Sequence, residues 1–171
     1  MITATLNEDA TLLDGTGPFA DLPEREPRFI WIPPKRGYLA RTVDEAIVWG
    51  WMQAKAPSQD WTGLCQSFCR QSYGVPAWAA SAIIAWRKIP AKHKTAGGKP
   101  TDAPRGALLY YEGGKYGHVA LAIGKKTNRS CLSNDYVARG EIDRAPRDFP
   151  RWGIRYVGWS AWTPFGTMKL N

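Results

Sequence analysis

Cys65 stands in the stretch DWTGLCQSFCRQSYG, Asp60 to Gly74, at the point where a helix would begin. The free N–H groups of a helix N-terminus favour an anion, so a thiol there is well placed to become a nucleophile. An ordinary thiol has a pKa of about 8.5, and a helix terminus contributes roughly 0.3–1 kcal/mol, up to ~2 when partly buried. At ~1.36 kcal/mol per pKa unit this amounts to about one unit, too little for a nucleophile at neutral pH. Cys65 therefore needs a partner, an imidazolium by expectation, and the chain offers His93 and His118. The chemistry within reach is acyl transfer through a thiolate.

Two elements must position this pair. In the first, Asp60 or Thr62 reads as the N-cap, and Leu64 and Phe68 form an apolar stripe. Cys65, Cys69 and Ser72 share a neighbouring face, and Gly74-Val75-Pro76 is the stop. The second element is a hairpin. In GHVALAIG, Val119, Leu121 and Ile123 point one way, while His118, Ala120 and Ala122 point the other. A turn centred between Lys126 and Thr127 sets Asp135 opposite His118, Ser133 opposite Ala120 and Cys131 opposite Ala122. The histidine face then has a floor of small residues on which a helix could settle closely. That contact would bring Cys65 to His118 while Asp135 holds the far ring nitrogen. A one-residue slip replaces Asp135 by Asn134, the second choice for this role.

Other readings of the same residues stay open. Cys65, Cys69, His118 and Cys131 could form a Cys₃His zinc set, although the spacing is not the compact C-x₂-C knuckle and Cys131 falls ~13 Å along the sheet from His118. Cys69, one turn deeper than Cys65, reads as core packing. His93 lies in a basic loop and is either a substrate contact at a cleft edge or plain surface. Among nine tryptophans, Trp78 and Trp152 are candidates for a sugar-stacking groove.

Residues 1–40 carry five prolines and little periodicity, which reads as an N-terminal arm with one short strand at Phe29 to Ile32. Thr42 and Glu45 form a capping box that opens a helix to about Ala54. A third helix is expected over Ala77 to Lys88, followed by a loop from Ile89 to Pro104. Strands are expected at Ala107–Tyr111, His118–Gly124, Ser130–Asp135 and Gly153–Trp159. Helices first and antiparallel strands afterwards predict one α+β domain over residues 41–171, with helices on one face of a sheet of about 5–6 strands.

With 171 residues, 22% of them charged and 44% hydrophobic, the chain is of the soluble globular class. No apolar run approaches the ~18 residues of a membrane helix, so no membrane insertion is expected. The acidic N-terminus does not read as a secretory signal, so the expected site of synthesis is a cytoplasm, with release by another agent. The net charge of +8 favours an anionic partner, nucleic acid or a cell-wall polymer. The basic residues are scattered, which reads as a solvated face and no specific nucleic-acid site. Three cysteines without scaffold spacing read as free thiols.

Three segments, GLCQSFCRQSYGVP, PRGALLYYEGGKYGHVALAIG and CLSND, resemble the CHAP family (cysteine, histidine-dependent amidohydrolase/peptidase) and its NlpC-type relatives. The resemblance covers about residues 42–160. It implies a papain-like core and peptidoglycan hydrolysis of the kind found in phage lysins. By this resemblance Cys65 is the nucleophile, His118 the general base, and Asp135 or Asn134 the group that orients the ring. The Cys65 backbone N–H would be one oxyanion donor. The chain departs from the NlpC-type pattern at Trp61, where that pattern places its cysteine, and so follows the CHAP-like register. No acidic calcium loop of the kind some members carry is visible, so no metal or other cofactor is expected. The implied partner is bacterial peptidoglycan, acted on by a monomer after release. A non-catalytic wall- or glycan-binding module on the same fold is the competing class. A zinc-stabilised nucleic-acid-binding domain is a third.

Overall fold

The first helix forms around a reciprocal cap. The Glu45 carboxylate accepts the Thr42 N–H at 2.8 Å and the Thr42 hydroxyl accepts the Glu45 N–H at 3.3 Å, which opens α1 (Val43–Lys55). These elements come from a computed structural model that describes residues 39–124 and 130–170. The expected arm and its strand at Phe29–Ile32 lie outside the described residues, except for residues 39 and 40. There the Ala40 N–H donates to the Tyr73 carbonyl at 3.2 Å.

Helix α2 (Cys65–Ser72) starts at the cysteine itself, and neither expected cap closes its N-terminus. Leu64 is the N-cap and makes no side-chain bond. Asp60 instead accepts from the Thr62 N–H at 2.8 Å and from its hydroxyl at 2.7 Å, a local turn that consumes both candidates. At the other end Gly74 adopts φ 66, and its N–H bonds Gln71 O while the Val75 N–H bonds Arg70 O, both at 2.9 Å. This pair of bonds is the Schellman closure that glycine at this position makes possible. Helix α3 (Ala82–Lys88) is shorter than expected at its start, because Ser81 is the cap and accepts the Ile84 N–H at 3.4 Å.

The strands are β1 (Lys94–Ala96), β2 (Leu108–Glu112), β3 (His118–Ala122), β4 (Ser130–Asn134), β5 (Ile142–Pro146) and β6 (Arg155–Ser160). They form one sheet in the order β1-β6-β2-β3-β4-β5 with every neighbouring pair antiparallel. Two further short strands, β7 (Trp162–Thr163) and β8 (Gly166–Thr167), pair in a separate ribbon. The class is therefore α+β, with three helices and a six-stranded antiparallel sheet. Strand β1 lies in the stretch that reads as a loop, and β5 in a charged stretch with no strand signal.

Both faces of the sheet are covered, and this decides where the site forms. Val119, Leu121, Ile123 and Leu132 pack with Ile47, Phe68 and Ala85 of the helices in one apolar cluster. Helix α1 comes so close to β4 that a Cβ on Gly50 would lie 2.7 Å from Leu132 Cδ1. Ala120, Ala122, Cys131 and Ala145 line the opposite face together with Leu109, Tyr111 and Phe149. The expectation that the helices settle on this small-residue face is thus corrected. Branched side chains present more apolar area to a helix, whereas the alanine floor leaves room for large rings.

Arg147 lies under the ring-filled face and is 1 % exposed. It donates to the carbonyls of Ser130 at 3.0 Å, Ala103 at 2.8 Å, Pro100 at 3.3 Å and Gly124 at 2.7 Å. One guanidinium thus joins the 100–103 turn to both arms of the β3–β4 hairpin, at the end where they connect. No helix of the described residues is long and apolar enough to cross a membrane.

Candidate active site

His118 is the first residue of β3, entered through Gly117 at φ 64. A Cβ on Gly117 would lie 2.8 Å from the Tyr111 carbonyl oxygen, so only glycine lets the chain pass there. The imidazole is walled by rings. Trp152 meets it edge-on at 4.8 Å and Phe149 at 5.1 Å, with Tyr111 at 6.1 Å. Phe149 and Trp152 stack on each other at 5.0 Å, and Tyr136 stands edge-on against both. The ring's hydrogen bond among the described residues joins Nε2 to the Ser133 hydroxyl at 2.8 Å. Burial pushes the His118 pKa down to about 3, so the imidazole is neutral at pH 7.

Cys65 lies on the helix side of the sheet, in the cluster that Val119 and Leu121 enter. Its thiol is 8 % exposed and lies against the Val119 backbone N–H, one residue past His118. Burial raises its pKa above the ordinary value, and hydrogen bonds from the N–H groups of Val119 and Gln66 pull it part of the way back. The nearby Asp135 charge raises it further. Both groups rest neutral, a thiol and an imidazole that line the same cleft. Cys65, His118, Asn134 and Asp135 all line one cleft of about 410 Å³. Gly63, Gly117 and the alanines of the 77–82 segment line it together with the larger Leu64, Gln66, Arg70 and Tyr116.

The expected contact between Asp135 and the ring is not made. Asp135 leaves the strand at φ 62, and its carboxylate accepts the N–H groups of Gly63 and Gly140, each at 2.7 Å. Asn134, the second choice, donates its amide to Trp61 O at 2.8 Å and to Asp135. Both residues therefore fix the loop that leads into Cys65, and Ser133 takes the position beside the ring. The β3–β4 register itself is as expected, with Cys131 opposite Ala122. Ser133 lies one pair along on the histidine face, a diagonal neighbour within reach of an imidazole. Asp135→Asn keeps a residue tolerant of positive φ and removes the charge that holds the two N–H groups. It is expected to cost about 1–3 kcal/mol, measured as a shift in denaturant midpoint at unchanged slope.

The other expected residues are dispersed. Cys69 is fully buried on the helix side and Cys131 on the opposite face, so the sheet separates the zinc set. Among the described residues no three His, Cys, Asp or Glu side chains gather as a metal site. His93 stacks on Trp162 at 5.6 Å and Trp78 meets the same indole edge-on at 6.2 Å. These two form their own cluster and do not line the cleft. Trp152 does not line it either, but walls the His118 imidazole. Ser133, Phe149, Tyr111 and Tyr136 are the site residues that sequence reasoning passed over. For Ser133 the hairpin register held the signal; for Phe149 none existed.

The buried neutral histidine carries a pH dependence with a definite sign. The folded pKa lies below the unfolded value of about 6.5, so the stability it contributes is present above that pH and is lost as pH falls toward 3. Between pH 7 and pH 5 the loss is expected to be about 2 kcal/mol. Denaturant unfolding of the wild type and of His118→Gln at both pH values measures it. An equal pH slope in the two proteins would contradict a buried neutral ring.

The chain matches no protein-family model, no curated protein and no solved structure.

Proposed function

We propose that this protein is a cysteine amidase or endopeptidase that hydrolyses an amide bond of bacterial peptidoglycan, on a papain-like fold of the CHAP type. One observation carries the proposal: the thiol at the first residue of α2 and the imidazole at the first residue of β3 open into one cleft, with the thiol against the Val119 N–H. The +8 charge suits an anionic wall polymer as substrate.

In this mechanism His118 takes the Cys65 thiol proton as the sulfur attacks the amide carbonyl. The carbonyl oxygen gains the electron pair and receives the Cys65 backbone N–H at the first turn of α2. The imidazolium then returns the proton to the leaving amine as the C–N bond breaks, which leaves a thioester on Cys65. Water, deprotonated by the same imidazole, attacks the thioester; the C–S bond breaks, the acyl group leaves as a carboxylic acid, and the Cys65 thiolate takes the proton back from the imidazolium. A neutral resting pair requires proton transfer concerted with attack, since no preformed thiolate waits in the cleft.

The experiment is turbidity loss of a purified peptidoglycan suspension, with mass spectrometry of the released fragments. Clearing with new amine and carboxyl ends supports the reading and names the bond. Intact peptidoglycan after exposure to folded protein would refute it. One observation favours a second reading, a wall-binding module: burial keeps the Cys65 thiol in its neutral form. That reading expects sedimentation of the protein with the wall, no fragments, and a Cys65 as slow toward alkylating reagents as an ordinary buried thiol.

A further inference from the structure

We propose that Ser133 is the positioning residue of His118: its oxygen accepts the ring's Nε2–H, its own proton goes to the Asn134 carbonyl, and Nδ1 is left unprotonated as the base that serves Cys65. This rests on the reading of the cleft as a thiol–imidazole site, and it assigns the proton inventory that such a site needs. Three observations carry it. Ser133 Oγ lies 2.8 Å from His118 Nε2. The same hydroxyl donates to the Asn134 carbonyl at 3.2 Å. Ser133 is 1 % exposed, so water does not compete for either bond.

A hydroxyl has one proton. If that proton is directed to the Asn134 carbonyl, the short bond to the ring has its donor on the imidazole, and the donor is Nε2–H. A neutral imidazole carries one N–H, so Nδ1 then holds a lone pair. The ring cannot rotate easily to exchange the two nitrogens, because Trp152, Phe149 and Tyr111 enclose it. The chain Nε2–H to Ser133 to Asn134 therefore fixes both orientation and tautomer without a carboxylate. The ionisable groups around the ring are Cys65 and Asp135 in the cleft and Tyr111 from β2, with Arg70 at the cleft wall. Among the described residues none of these hydrogen-bonds the ring. Asp135, which the sequence placed in this role, is occupied by Gly63 and Gly140.

The arrangement differs in kind from an ion pair. A carboxylate on Nε2 would favour imidazolium and hence a resting thiolate; a hydroxyl favours neither charge state strongly. In the attack step the proton moves from sulfur to Nδ1, and the imidazolium so formed is held by Ser133 through an N–H···O bond it already makes. The tautomer needs no adjustment before attack.

Nitrogen NMR of histidine-labelled protein tests this directly, since the chain contains only His93 and His118. The expected spectrum at pH 7 has His118 with a protonated Nε2 and an unprotonated Nδ1, and His93→Gln makes the assignment. The second arm is the rate of Cys65 alkylation by iodoacetamide, read by peptide mass mapping. Cys69 and Cys131 are fully buried in the fold and so stay unlabelled. Ser133→Ala is expected to slow alkylation of Cys65 roughly tenfold and to mix the two tautomers, while Ser133→Thr, which restores the hydroxyl, recovers most of the rate. An Nδ1–H tautomer in the wild type would overturn the proposal. So would a folded Ser133→Ala protein that alkylates at the wild-type rate. If Ser133→Ala does not fold, the wild-type spectrum still decides. Neither arm requires peptidoglycan, so a failure of wall hydrolysis and a failure of the Ser133 assignment are separate results.

Discussion

On the proposed mechanism, replacing Cys65 by alanine is expected to lower peptidoglycan hydrolysis by at least about 10³-fold, because the thioester route disappears with its nucleophile. The remaining site would still bind, so wall sedimentation should persist while fragment release stops. The fold should survive, since the side chain sits at a cleft wall and alanine is an excellent helix former. The informative control is Cys69→Ala. Cys69 is one turn further along the same helix, with 0 % exposure, and its burial holds its pKa well above the ordinary range. That substitution should cost stability and leave the rate per folded molecule unchanged. Initial rates of turbidity loss for the three proteins, normalised to folded protein by circular dichroism, make the comparison. Equal rates for wild type and Cys65→Ala would remove Cys65 from the mechanism.

Arg147→Ala is expected to destabilise the fold by roughly 3–5 kcal/mol, the largest single effect on stability foreseen. The guanidinium satisfies carbonyls of Pro100, Ala103, Gly124 and Ser130 within a buried layer. Its removal takes a donor from each of those oxygens, of which Ser130 O keeps the Ile123 N–H at 3.4 Å, and leaves a side-chain-sized void beneath Tyr111, whose hydroxyl donates to the Arg147 carbonyl at 2.6 Å. Lysine should restore only part of the loss, because one ammonium cannot match a planar fork spread over three segments. Urea unfolding of the wild type and the two variants gives the numbers. Because the 147–152 segment also carries Phe149 and Trp152, Arg147→Ala should loosen the wall around His118 before global unfolding, seen as broadening of that residue's ring signals. A variant within 1 kcal/mol of wild type would show that the surrounding carbonyls find other donors, and the arginine would lose this role.

Much of the site was legible because local rules and the hairpin register agree. The capping box at Thr42 and Glu45 formed as read, and the alternation from His118 to Ile123 put the branched residues on one face. The register was recoverable too, since turn length and period-two alternation leave few alternatives, and Cys131 does pair with Ala122. What the register does not contain is the backbone at its end. Asp135 turns to φ 62, which takes its carboxylate off the sheet and toward Gly63, 72 positions away in the chain. Strands β1 and β5 were missed for a related reason. Each is an edge strand whose existence depends on the hydrogen-bonding partner, β6 or β4, more than on its own composition.

By itself the sequence determined the α+β order of elements, the first-turn thiol, the strand-borne imidazole and the pairing of the two strands around it. These follow from periodicity and spacing, which act over a few residues. The tertiary structure alone decided which face of the sheet receives the helices, that rings from residues 149 and 152 enclose His118, and that Ser133 stands beside its Nε2. Those outcomes depend on how volumes and hydrogen-bond donors are shared between segments distant in the chain. Local pattern carries no record of that competition.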